Sequence, residues 1–236
     1  MPGTAGSDRR VPTTIVAMPG TGSDADYVHR AFGPAADEIG LTLIALEPSE
    51  NLVEGHLRRL DEIAGSAGPL IVGGVSIGAA IALSWALRSP CAGVWAALPA
   101  WTGDPDAAPA AWSARATAGA LVADGLEPTI VAMAASSPEW LAAELSRSWR
   151  ALHPGLTDQL TEAAGYHSPD LAQIATLTAP LAITAAVDDP VHPGEVGREW
   201  AAAAPRSALT EVTLEDWGNN PAVLGFGCAR GWLGIR

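Results

Sequence analysis

Short apolar runs, each too brief for a buried helix, recur along this chain with helix-length segments between them, and that alternation is what most limits the folds open to it. Residues 12–19 (PTTIVAMP), 41–47 (LTLIALE), 69–74 (PLIVGG), 93–100 (GVWAALPA), 180–187 (PLAITAAV) and 207–214 (SALTEVTL) read as strands. Their near-continuous apolar character is that of strands covered on both faces. It predicts an α/β fold: a mostly parallel sheet of about six strands flanked by helices.

The segments between them read as helices. Ser23 and Asp26 form a capping-box signature ahead of residues 23–40. Val53, Leu57, Leu60 and Ala64 repeat at helical spacing, with Arg58, Arg59, Asp61 and Glu62 on the opposite face. Residues 79–89 are apolar on every side, as in a helix inside a protein, and stop before Pro90. His29 and His56 fall on the first two of these helices and are expected to be solvated.

Between 101 and 177 the alternation breaks. The stretch is alanine-rich and helix-prone, with Pro138 and Glu139 placed to start a helix, and reads as a helical cap inserted in one domain of residues 1–236. Four of the nine tryptophans, Trp101, Trp112, Trp140 and Trp149, fall here and are expected to pack the cap onto the sheet, a substrate-facing role being the competing reading.

Composition narrows the function. A net charge of −13 repels phosphate backbones and anionic lipid, so neither nucleic acid nor a membrane surface is an expected partner. Cys91 and Cys228 are too few for a disulfide framework and lack metal-site spacing, which suits a reducing compartment. The N-terminal residues 1–10 have no apolar core behind their arginines, and no apolar run reaches the roughly 18 residues that span a bilayer. The expectation is a cytoplasmic protein acting on a small, mostly apolar molecule, with no metal and no cofactor, since no phosphate loop or dinucleotide fingerprint is present.

The chemistry concentrates at Gly74-Val75-Ser76-Ile77-Gly78, where a predicted strand meets a predicted helix. In that context G-x-S-x-G marks a nucleophile elbow. A sharp turn holds the serine in a strained conformation, side chains two positions to either side would collide, and the hydroxyl is left at a helix N-terminus whose N–H groups can stabilise an oxyanion.

With this motif the chain resembles the α/β-hydrolase superfamily along nearly all its length, without the first two strands of that fold. The resemblance implies a serine hydrolase of a carboxylic ester or thioester. It places the second oxyanion donor in the loop after the first strand, here Pro19-Gly20-Thr21-Gly22, so that the N–H of Thr21 pairs with that of Ile77 and Gly20 permits close approach of substrate. It places the acid after the strand that follows the cap, where AAVDDPVHP offers Asp189 with Pro193 at the family's spacing. Asp189 as a mere N-cap of the next helix is the competing reading.

The family's histidine follows the last strand, commonly as Gly-His. Here EDWGNNPAVLG puts Asn219 directly after Gly218, while Asn220 and Pro221 suit the start of the final helix. Asparagine cannot take a proton from serine at neutral pH, so this alignment leaves Ser76 and Asp189 without a base. Among the histidines, His192 shares the loop of Asp189, whereas the usual acid-to-base contact bridges two loops. His153 and His167 lie in the cap, and His167 is the nearest substitute. Three readings follow: a hydrolase silenced by Asn219, a binding protein or cyclase using the hydrolase pocket, or a hydrolase with a displaced base.

Overall fold

The computed structural model describes residues 12–236. The N-terminal stretch 1–10, read above for a targeting signal, lies outside them. Among the described residues the strands are β1 (Thr14–Met18), β2 (Thr42–Ala45), β3 (Leu70–Val75), β4 (Gly93–Ala97), β5 (Leu181–Ala186) and β6 (Ser207–Val212). All six predicted strands form; β3 is shifted one residue on, to end at Val75, and the others are shorter at one or both ends. They make one sheet in the order β2-β1-β3-β4-β5-β6, every neighbouring pair parallel.

Three helices alternate with the first four strands: α1 (Ala25–Glu38), α2 (Leu52–Ser66) and α3 (Ile77–Ala86). Five more, α4 (Pro109–Asp124), α5 (Leu126–Ala135), α6 (Glu139–Leu152), α7 (Leu156–Ala164) and α8 (Leu171–Ile174), fill the span between β4 and β5 with no strand among them. After β5 come α9 (Gly194–Ala203), then β6, α10 (Leu214–Asn219) and α11 (Ala222–Ile235).

Strand residues alternate between two cores. Val16, Met18, Val72 and Val94 face α2, α3 and α9, joined by Leu60, Ile81, Leu83 and Trp200. Ile15, Ala17, Ile71 and Trp95 face α1 and α11, joined by Phe32, Leu224 and Trp232. Both faces are covered, which is why the strands carry almost no polar residue. A third, smaller cluster, with Leu121, Ile130, Trp149, Leu156 and Leu160, holds the inserted helices together.

Several local expectations move. Asp24, one residue later than Ser23, is the N-cap of α1, its carboxylate accepting the N–H of Tyr27 at 3.2 Å. His56 is buried rather than solvated, at 2% exposure, because it shares an i, i+4 line with Leu52 and Leu60 on the inner face of α2. Of the tryptophans in the inserted stretch, Trp101 and Trp149 are buried, but Trp112 is 58% exposed, its indole N–H tied to the Asp106 carbonyl. Among the described residues no helix is long and apolar enough to cross a membrane, and Cys91 and Cys228 are free thiols.

The inserted helices are anchored at two points. Asn51 gives α2 no side-chain cap; instead Glu162 of α7 accepts the N–H groups of Leu52 (2.7 Å) and Val53 (2.9 Å), satisfying donors that a helix start leaves open. At the second point, Arg147 of α6 grips Asp24 with both terminal nitrogens, at 2.7 and 3.0 Å.

The sheet order also fixes where a site can form. From β1 the chain runs outward to β2, then returns to the other side of β1 as β3. The loops leaving β1 and β3 therefore diverge above their C-terminal ends and open a crevice there.

Candidate active site

At that crevice β3 passes into α3 through Ser76, whose backbone sits at φ 55°, ψ −117°, a region costing a non-glycine residue on the order of 1–3 kcal/mol. Neighbours hold it there. The Ser76 N–H donates to the Ala97 carbonyl of β4 at 2.9 Å, and its own carbonyl accepts from Ala79 and Ala80 at 3.0 and 3.2 Å. Side chains at 74 and 78 are excluded sterically: a Cβ on Gly74 would lie 2.5 Å from the Gly78 backbone carbon and 2.7 Å from the Met18 oxygen, and one on Gly78 would lie 2.6 Å from the Met18 and Pro19 oxygens. The two glycines let the elbow nest on the end of β1.

The β5–α9 loop supplies the other two groups. Asp189 Oδ2 lies 2.7 Å from His192 Nδ1, and His192 Nε2 lies 3.0 Å from Ser76 Oγ. The acid is pinned by the Val191 N–H on its other oxygen at 2.8 Å, and it does not cap α9, which starts after Pro193. The Asp189 side chain is 5% exposed and that of His192 15%. Burial alone would raise the Asp189 carboxyl; the hydrogen bond and charge of His192, with the local backbone N–H groups, outweigh it and hold the acid below its ordinary range. An ionised carboxylate only accepts, so in the neutral imidazole the proton sits on Nδ1 and Nε2 is left to accept from the serine hydroxyl. That is the protonation a general base needs.

Asn219 is not in this arrangement. A helix missed in the sequence, α10, intervenes between β6 and α11, and Asn219 ends it as an exposed residue. The signal was present: Thr213 and Asp216 form a reciprocal capping box, the hydroxyl accepting the Asp216 N–H and the carboxylate the Thr213 N–H. What α10 turns toward the site is Trp217, whose ring meets that of His192 edge-on, centroids 6.5 Å apart. Its indole N–H donates to the hydroxyl of Tyr27, a phenol that burial pushes up to about 12 and so keeps protonated. Trp140 of α6 packs edge-on against Trp217 at 5.0 Å. Asn220 accepts the Ala222 N–H at 3.1 Å, at the start of α11.

His29, His153 and His167 are exposed. His56 is buried within α2, its Nε2 unpartnered, and burial pushes it down to about 4. His192 is the histidine brought to Ser76.

On the opposite side of Ser76 runs the turn after β1. Gly20 lies close enough that a Cβ there would sit 3.4 Å from the Ser76 Cβ. Among the described residues neither the Thr21 nor the Ile77 N–H has a hydrogen-bond acceptor. Thr21 follows Gly20 in this turn, and Ile77 is the first residue of α3, where the helix dipole favours negative charge.

No protein-family model matches the sequence, and no curated protein sequence does. Solved structures do resemble it. A hydrolase from Pseudomonas aeruginosa is 18% identical, with a TM-score of 0.71 over 95% of this chain and 91% of that one. The enol-lactonase from Burkholderia xenovorans is 14% identical, with a TM-score of 0.67 over 86% and 83%. A thermophilic esterase from Thermogutta terrifontis is 16% identical, with a TM-score of 0.63 over 86% and 82%. With its six-stranded parallel sheet and flanking helices, the chain has the α/β-hydrolase fold.

Proposed function

We propose that this chain, an α/β-hydrolase by fold, is a serine hydrolase that cleaves a carboxylic ester or thioester through an acyl-enzyme. One observation carries the reading: His192 joins Ser76 to Asp189 through contacts of 3.0 and 2.7 Å, the constellation in which a serine hydroxyl becomes a nucleophile.

In the first half-reaction Ser76 Oγ attacks the carbonyl carbon while its proton passes to His192 Nε2. The carbonyl oxygen takes up the negative charge between the Thr21 and Ile77 N–H groups. The resulting imidazolium is stabilised by Asp189, and it returns the proton to the leaving alkoxide or thiolate as the tetrahedral intermediate collapses. In the second half, water loses a proton to His192, adds to the acyl carbon, and the proton returns to Ser76 Oγ as the acid departs. Removing a single oxyanion donor costs about a hundredfold or more in comparable sites, so the two backbone donors carry much of the rate.

The helices between β4 and β5 act as a lid over this site. Trp140 of α6 packs on Trp217, the ring beside His192, and this apolar wall favours a mostly apolar acyl group. The expectation of a chain without a base rested on Asn219; with His192 against Ser76, the reading is an active enzyme.

The test is incubation with a fluorophosphonate, peptide mapping of the adduct, and turnover of a panel of aryl esters and thioesters. Labelling on Ser76 and turnover abolished by Ser76→Ala are the expected results. Folded protein that neither labels nor turns over any ester would overturn the reading.

A further inference from the structure

The turn carrying Thr21 is gripped from above by the lid. The turn closes through the Ser23 N–H to the Gly20 carbonyl at 3.1 Å, with Gly22 at φ 75° in its third position, a conformation that calls for glycine. Two glycines leave such a turn free to move. Three consecutive residues of α6 remove that freedom. Ser148, fully buried, donates its hydroxyl to the Gly22 carbonyl at 2.6 Å. Arg147 forks onto Asp24 just beyond the turn. Trp149 lies against Gly22 so closely that a Cβ there would come within 2.6 Å of the indole nitrogen.

We infer that lid helix α6 presets the oxyanion turn, with Ser148 as the positioning residue that fixes the Thr21 N–H through the carbonyl of Gly22. The inference rests on the hydrolase reading and deepens it. An oxyanion donor helps only when it is in place before charge appears. Ser148 does not touch substrate; it removes a rotation of the peptide after Gly22 that would let the turn, and Thr21 with it, drift. The hole is then complete only while α6 is seated, so lid position and catalytic competence are one equilibrium.

The experiment compares the parent protein, Ser148→Ala and Asp24→Asn, which keeps the shape and the α1 cap but weakens the Arg147 fork. Three quantities are read: kcat and KM on an aryl acetate, the acidic limb of the pH profile, and the affinity of phenylboronic acid, which forms a tetrahedral adduct on the serine with an oxygen in the hole. Ser148→Ala is expected to lower kcat and boronate affinity by about ten- to a hundredfold, less than outright loss of a donor. KM and the acidic limb stay near the parental values, because binding and His192 are untouched. Asp24→Asn shifts the same two quantities in the same direction by a smaller factor and carries the test if Ser148→Ala does not fold. Parental kcat and boronate affinity in the folded variants, or losses that only track the folded fraction by circular dichroism, would overturn the inference. A parent that neither turns over ester nor binds boronate overturns the hydrolase reading itself, and this inference with it.

Discussion

Asp189 and His192 stand three residues apart on the loop after β5, and their side chains meet at 2.7 Å. Both side chains thus reach the Ser76 end of the sheet from one short segment closed by the Val191 N–H. The pattern of the superfamily this chain resembles would place a histidine in the stretch after β6. That stretch forms α10 and offers Trp217 as a wall beside the imidazole.

In the proposed mechanism Asn219 takes no part. Asn219→Ala is expected to keep ester turnover within about twofold of the parent, as for an exposed residue remote from special interactions, and Asn219→His gives no gain. Steady-state kinetics on an aryl ester check both; a rise of several orders of magnitude in Asn219→His would return the base to that position.

The elbow has no room for a side chain at its flanks. Gly74→Ala and Gly78→Ala each force a Cβ to within 2.5–2.6 Å of fixed backbone atoms, and overpacking of this kind costs about 3 kcal/mol. Urea denaturation of the two variants reads the loss directly. Gly119→Ala, where a Cβ meets nothing within 4 Å, serves as the control with little change.

Much of this was legible in the residues themselves. The six apolar runs fixed strand number and parallelism because both faces of the sheet are covered. Gly74-Val75-Ser76-Ile77-Gly78 and the position of Asp189 marked two of the three groups the structure brings together. His192 escaped because a three-residue separation lacks the spacing signature of a two-loop contact; only the fold of the β5–α9 loop turns the imidazole back onto its own acid. Asn219 was misplaced for a more avoidable reason, since Thr213-Leu214-Glu215-Asp216 announces a helix that carries it away from the strand end. His56 escaped because the stripe Val53, Leu57, Leu60 and Ala64 leaves out Leu52 and Ile63, and the buried face of α2 runs through Leu52, His56, Leu60 and Ile63.

Burial of His56 makes a prediction about acid. Burial holds its imidazole neutral in the folded state, pushed down to about 4, while the unfolded chain takes up a proton near pH 6.5. Between those values the unfolded state binds more protons, so stability is greatest above pH 6.5 and declines as pH falls toward 4. Urea midpoints between pH 7 and 4.5 should show this slope, and His56→Leu should flatten it.

Glu162 of α7 caps the start of α2. Glu162→Ala leaves the Leu52 and Val53 N–H groups without their acceptor and is expected to cost about 1 kcal/mol, the usual loss for a capping group. Thermal unfolding measures it, and Glu162→Gln, which retains one acceptor oxygen, recovers part of the loss.

The most direct test of the catalytic assignment is the rate of ester turnover and of fluorophosphonate labelling in the parent and in His192→Ala. The parent is expected to label on Ser76, and His192→Ala, folded as before, to lose roughly 10⁴-fold or more in kcat, the scale on which a serine hydrolase loses rate without its base. Parental turnover in His192→Ala would contradict the assignment.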